Sequence, residues 1–184
     1  MTTINQERLA KVQKLSLLHG SHQPDSKFCV MEAVAFVAEE PWTDHPECVP
    51  PTIGAFLRSW NDSLPTDADR DRLLKPLIPK VIGLKKSSAI EVKRMVIVAD
   101  WYIRNHLPRL LRFAGLPDHA AKVEESPEIK KLGEVSAALA ALDALDARAA
   151  LDADIESFKK DVLALVEDTN QSMLGLVQRM IEVE

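Results

Sequence analysis

Five side chains with ligand or acid–base chemistry lie within one stretch of twenty residues: Cys29, Glu32, Asp44, His45 and Cys48. Thiolate, imidazole and carboxylate are the groups that a tetrahedral zinc ion accepts. His45 and Cys48, three positions apart, suit an ion held from a loop, with Cys29 as a third ligand. No paired CxxC accompanies them. A structural reading competes: the cysteines pack as small hydrophobes, and Glu32, Asp44 and His45 form a polar core network that fixes the loop. A third reading is a thiol nucleophile beside a base. Cys48, in a loop, suits it better than Cys29, which lies in an apolar run. The ligand types favour the structural network over zinc. Catalysis comes last, because no motif supplies an oxyanion site.

The elements that must position these residues follow from the pattern around them. Phe28 to Ala38 is apolar at every position except Glu32, which predicts a helix buried on all sides. A carboxylate there requires a partner. The segment after it holds Asp44, His45 and Cys48 among four prolines, Pro41, Pro46, Pro50 and Pro51, which exclude helix and stiffen the loop. Pro51 suits the first turn of a helix whose apolar stripe is Ile53, Phe56, Leu57, Trp60 and Leu64.

The rest of the chain reads as helices and turns. Leu9, Val12 and Leu15 predict a first helix over residues 3–18, stopped by Gly20. Thr66 caps a helix that Pro76 and Pro79 kink or split before Gly83. Ser88 and Glu91 form a capping box for a helix from Ala89 to about Leu107, with Pro108 as a kink or restart. A short helix is expected over Asp118 to Glu125. From Glu134 to Val183 no proline intervenes, and Ile155, Phe158, Val162, Leu165, Thr169, Met173, Leu176 and Met180 recur at threes and fours. That is close to a heptad seam. It packs either on its own domain or on another chain, as one helix or as a hairpin turning near Asp152.

Composition bounds the function. The chain has 184 residues, 46% of them hydrophobic, and a net charge of −5. It has no apolar run of about eighteen residues to span a bilayer and no apolar signal core at its start, so a cytoplasmic location is expected. Two cysteines do not make a disulfide framework. Charge is segregated: Arg70 to Arg112 holds eleven Lys or Arg against three Asp or Glu, and Glu134 to Glu184 holds four against eleven. The basic region, with Trp101, Tyr102, His106, Arg109 and Arg112, could meet nucleic acid. The acidic end argues against it. Asp67, Asp69 and Asp71 start a calcium-loop pattern that fails at Arg72 and Ile78. No phosphate loop or HExxH occurs.

Several longer motifs carry a resemblance. They are Cys29-Val30-Met31-Glu32-Ala33-Val34-Ala35, Glu40-Pro41-Trp42-Thr43-Asp44-His45-Pro46 with Cys48, Leu57 to Asp62, Leu74 to Pro79, and Ala99-Asp100-Trp101. With these the chain resembles a family of small, uncharacterised helical proteins of bacterial and bacteriophage genomes that end in an alanine-rich helix. The alanine-rich part is shorter here and lacks the interspersed Trp of longer members. The resemblance implies a fold and no activity.

The expectation is therefore an all-α bundle of six or seven helices with a long amphipathic C-terminal helix or helical hairpin. Residues 1–126 form the compact part. Residues 127–184 pack on it or on a second copy. The expected function is a non-enzymatic protein–protein interaction module that meets another protein or itself through the C-terminal helix. No cofactor is expected, and no membrane contact. A small zinc protein and a nucleic-acid-associated protein are the alternatives.

Overall fold

A computed structural model of the chain describes residues 3–24, 27–135 and 155–183, with backbone alone from 155 to 165. Among these residues the fold is all-α. It comprises α1 (Gln6–Gln13), α2 (Val30–Val37), α3 (Pro51–Ser63), α4 (Asp67–Leu74), α5 (Ile78–Val81), α6 (Ser88–Trp101), α7 (Leu107–Phe113), α8 (Pro117–Glu124) and α9 (Ile155–Glu182), with a helical turn at 132–135. Proline divides two of the expected helices. Pro76 and Pro79 break one helix into α4, a 3-10 turn at Lys75–Leu77 and α5. Pro108 does the same further on: its nitrogen has no hydrogen to donate to the carbonyl four residues back. The backbone widens there into a π turn at Tyr102–His106, and the Leu107 N–H bonds the Tyr102 carbonyl.

Two compact units divide the chain, Met1–Glu91 and Val92–Glu184. The boundary lies inside α6. The reason is that residues past Val92 build a core of their own. Val96, Ile103, Val123 and Ile129 cluster there.

In the first unit α2 is the central element. Val30, Met31, Ala33, Val34, Ala35 and Val37 are fully buried. An apolar helix with no polar face has no stable place except inside. Ile53, Leu57 and Trp60 of α3, Leu73 and Leu74 of α4, and Ile78 and Val81 of α5 complete the core. α1 ends at Gln13, five residues short of expectation. Leu15 is exposed, while Leu17 is buried in extended backbone that forms an isolated parallel bridge with Phe28. The Leu17 N–H donates to Asp71 Oδ1 at 2.8 Å and the Leu18 N–H to the Phe28 carbonyl at 2.8 Å. These partners outweigh the weak preference that would have continued the helix.

Charged side chains close the helix ends. Thr66 accepts the Asp69 N–H to cap α4. Arg70, 4% exposed, donates to the Asn61 and Leu64 carbonyls at the end of α3 and pairs with Asp67. Glu91 accepts the Thr52 N–H at 2.5 Å, so it serves the first turn of α3 as well as lying in the first turn of α6.

In the second unit α9 supplies Leu176, Val177 and Met180 to the interior. Arg94 is buried and its Nε donates to the Met180 carbonyl at 3.0 Å, and Trp101 Nε1 donates to Ser172 Oγ at 2.8 Å. Gly115 ends α7 at φ 75°, with the Leu116 N–H returning to the Leu111 carbonyl at 2.8 Å. Among the described residues no helix is long and apolar enough to cross a membrane.

Candidate binding site

The residues singled out by their chemistry fall into two separate arrangements in the first unit. One is built on the start of α2. Cys29 is the N-cap of that helix, not a residue within it, and Glu32 is the third residue of the first turn. The Glu32 N–H donates to Cys29 Sγ at 3.5 Å, and Glu32 Oε2 accepts the Cys29 N–H at 2.7 Å. This is a capping box with sulfur in place of a hydroxyl. The same carboxylate accepts the His22 backbone N–H at 2.5 Å and lies 3.0 Å from His22 Nδ1. Trp42 Nε1 donates to the His22 carbonyl at 2.8 Å, and its ring packs against Phe28. Asn61, fully buried, accepts the Val30 N–H and donates to the Leu18 carbonyl. The connection between α1 and α2 is thus tied to the core by Glu32, Asn61 and Trp42. Burial pushes the Cys29 thiol up to about 12.

The other arrangement is the proline loop. Both oxygens of Glu40 accept backbone N–H groups within it, from Glu47 at 2.5 Å and from Cys48 at 2.8 Å. Cys48 is buried, and its carbonyl accepts the N–H groups of Gly83 and Lys85. Burial, aided by the neighbouring Glu40 carboxylate, pushes the Cys48 thiol up to about 12. His45 is exposed, and its Nδ1 lies 2.6 Å from Asp44 Oδ1. Lys85 Nζ pairs with Glu47 at 2.6 Å.

Two expectations are corrected here. Glu32 does not share a network with Asp44 and His45: its histidine is His22, while Asp44 and His45 pair with each other at the surface. Sequence spacing gave no register for the 14–29 connection, so it could not show which histidine the buried carboxylate meets. Cys29, His45 and Cys48 are not assembled as ligands either. No group of three or more His, Cys, Asp or Glu suited to a metal ion occurs among the described residues. Cys29 turns to the start of α2 and His45 to Asp44.

Between the loop and α3 lies an open cleft of about 200 Å³. Met31, Val49, Pro50, Pro51 and Gly54 form its apolar wall, and His45, Glu47, Arg58 and Lys85 its polar rim. Arg58 is held by a single bond, from Nη1 to the Asp44 carbonyl at 2.9 Å. No carboxylate of the described residues lies within ion-pair distance of it. A Cβ at position 54 would meet Arg58 Nη1 at 3.4 Å, an ordinary van der Waals contact. Sequence reading missed His22, Asn61 and Arg58. Arg58 is one cation among many in the chain.

Several cations of the basic stretch 70–112 have ion-pair partners within the chain. Arg70 pairs with Asp67, Lys75 with Asp71, Lys85 with Glu47, Arg104 with Asp100, Arg109 with Asp168 and Arg112 with Glu124. Of the predicted C-terminal seam, Leu176 and Met180 are buried within their own unit and Met173 is half-buried. Those two are thus spent on the chain's own core. Ile155, Phe158, Val162 and Leu165 lie outside the described side chains.

A different helix carries exposed apolar residues in register. Val92 and Met95 of α6 and Tyr102 just beyond it are 43%, 43% and 45% exposed, and Ala99 between them is half-buried. At 100° per residue the four share one face, turned away from buried Arg94 and Trp101. Comparison of the chain with protein-family models, with curated protein sequences and with solved structures finds no match.

Proposed function

We propose that the chain is a non-enzymatic helical interaction module that associates with a second copy of itself through the outer face of α6. The observation that carries this reading is the stripe Val92, Met95, Ala99, Tyr102. Its spacing of three, four and three is the same read in either direction. Two such helices packed antiparallel about a two-fold axis near position 97 bring Val92 opposite the partner's Tyr102 and Met95 opposite the partner's Ala99. An isologous contact requires that self-complementarity, and pairing a large residue with a small one fills the space between helices. One helix face is a small contact, so the dimer is concentration-dependent.

The chemistry around the cysteines supports the non-enzymatic part. Both thiols are buried and un-ionised near neutral pH, and His45 is engaged with Asp44. Sedimentation velocity on wild type and Met95→Glu tests the reading. A concentration-dependent dimer that the substitution abolishes supports it. Identical sedimentation of the two proteins contradicts it.

A further inference from the structure

Arg58 stands apart from its neighbours in the first unit. Arg8, Arg70 and Arg72 each have a carboxylate within 4.0 Å. Arg58 has none among the described residues, and its one bond goes to a carbonyl. It is nevertheless fixed in place. The Asp44 carbonyl orients it from the loop side, and the guanidinium lies over Gly54 of α3. An oriented guanidinium with unused N–H donors is matched to a planar carboxylate.

The surroundings narrow the ligand further. Lys85 pairs with Glu47 on the rim and His45 with Asp44, while Arg58 has no carboxylate partner among the described residues. Glu40, Asp44 and Glu47 lie close by, and their repulsion grows with a ligand's charge, which favours a monoanion over a phosphate dianion. The wall of Val49, Pro50 and Pro51 is apolar and is backed by buried Met31 of the α2–α3 core. At about 200 Å³ the cleft has room for roughly one amino-acid residue, and it opens to solvent on one side. A ligand seated there must continue outward, as a chain end does.

We propose that this cleft binds the C-terminal residue of a peptide, with its free α-carboxylate on Arg58 and an apolar side chain against Pro50 and Pro51. The site lies in the first unit and does not depend on the α6 face, so either proposal can fail while the other stands.

The test is an NMR titration of the full chain with acetyl-Ala-Ala-Leu as the free acid and as the C-terminal amide. The free acid should shift the resonances of Gly54, Arg58 and Val49, and the amide should bind at least about tenfold more weakly. Arg58→Gln should remove the distinction between acid and amide. Equal binding of acid and amide to wild type overturns the proposal, as does no binding of the acid. That comparison needs no variant, so it decides even if a substitution impairs folding. Inorganic phosphate displacing the peptide at lower concentration than acetate overturns the carboxylate assignment. Acetate alone binding as well as the peptide overturns the chain-end assignment.

Discussion

Cys29 and Glu32 cap each other: the thiol sulfur accepts the Glu32 N–H at 3.5 Å while the Glu32 carboxylate accepts the Cys29 N–H at 2.7 Å. The carboxylate is 1% exposed and also holds His22, so one side chain starts the central helix and ties down the preceding connection. A buried carboxylate is costly to desolvate unless its oxygens are used, and here both are.

Removing it leaves buried N–H groups without an acceptor. Glu32→Ala is expected to destabilise the protein by about 3 kcal/mol, and Glu32→Gln, which keeps one oxygen, by about half that. Urea denaturation of the three proteins checks the order. A midpoint for Glu32→Ala equal to wild type would place the carboxylate in solvent.

Thiol chemistry gives a second expectation. With both thiols raised to about 12 and buried, a disulfide reagent near neutral pH should label neither cysteine in the native protein and both after unfolding. Stoichiometric labelling of native Cys48 within seconds would revive a reactive thiol in the proline loop.

His106 sets a pH dependence. Its ring stacks on Trp101 at 5.2 Å, and its Nδ1 is buried with no hydrogen-bond partner among the described residues. Burial, and then the Arg109 guanidinium, push the imidazole below its ordinary 6.5. The folded protein therefore takes up this proton less readily than the unfolded chain. The stability from the neutral ring is fully present above 6.5 and is lost as pH falls through the lower folded value. Melting temperature should fall from about pH 7.5 to about pH 5, and His106→Gln should flatten that part of the decline. An unaltered pH profile in the variant would show that His106 is solvated.

The contact at the end of α3 predicts a larger loss than its place near the surface suggests. Arg70 satisfies two carbonyls and Asp67 from a 4% exposed position. Arg70→Met should cost about 2–3 kcal/mol, because the carbonyls are left without donors. Thermal unfolding of the variant checks it, and a loss under about 0.5 kcal/mol would mean water replaces the guanidinium.

What could be read from the sequence, and what could not, divides along physical lines. The burial of α2 was legible because eleven positions with one polar exception permit no other placement. The start of α3 at Pro51 and the break of the helix at Pro76 and Pro79 follow from proline geometry alone. Proline at 108 announced an interruption, though not that the backbone would widen into a π turn. The partners of Glu32 were hidden because they depend on how the 14–29 connection folds back, which no local pattern encodes. The fate of Leu176 and Met180 was hidden because a heptad spacing is the same whether the seam meets its own domain or another chain. Arg58 was hidden because its distinction is the lack of a carboxylate neighbour, a property of space.

A native mass spectrum of the full 20.5 kDa chain across a range of concentrations reads self-association through the outer face of α6. Wild type should show a dimer that grows with concentration and is absent in Met95→Glu. A monomer at every concentration in both proteins would contradict it.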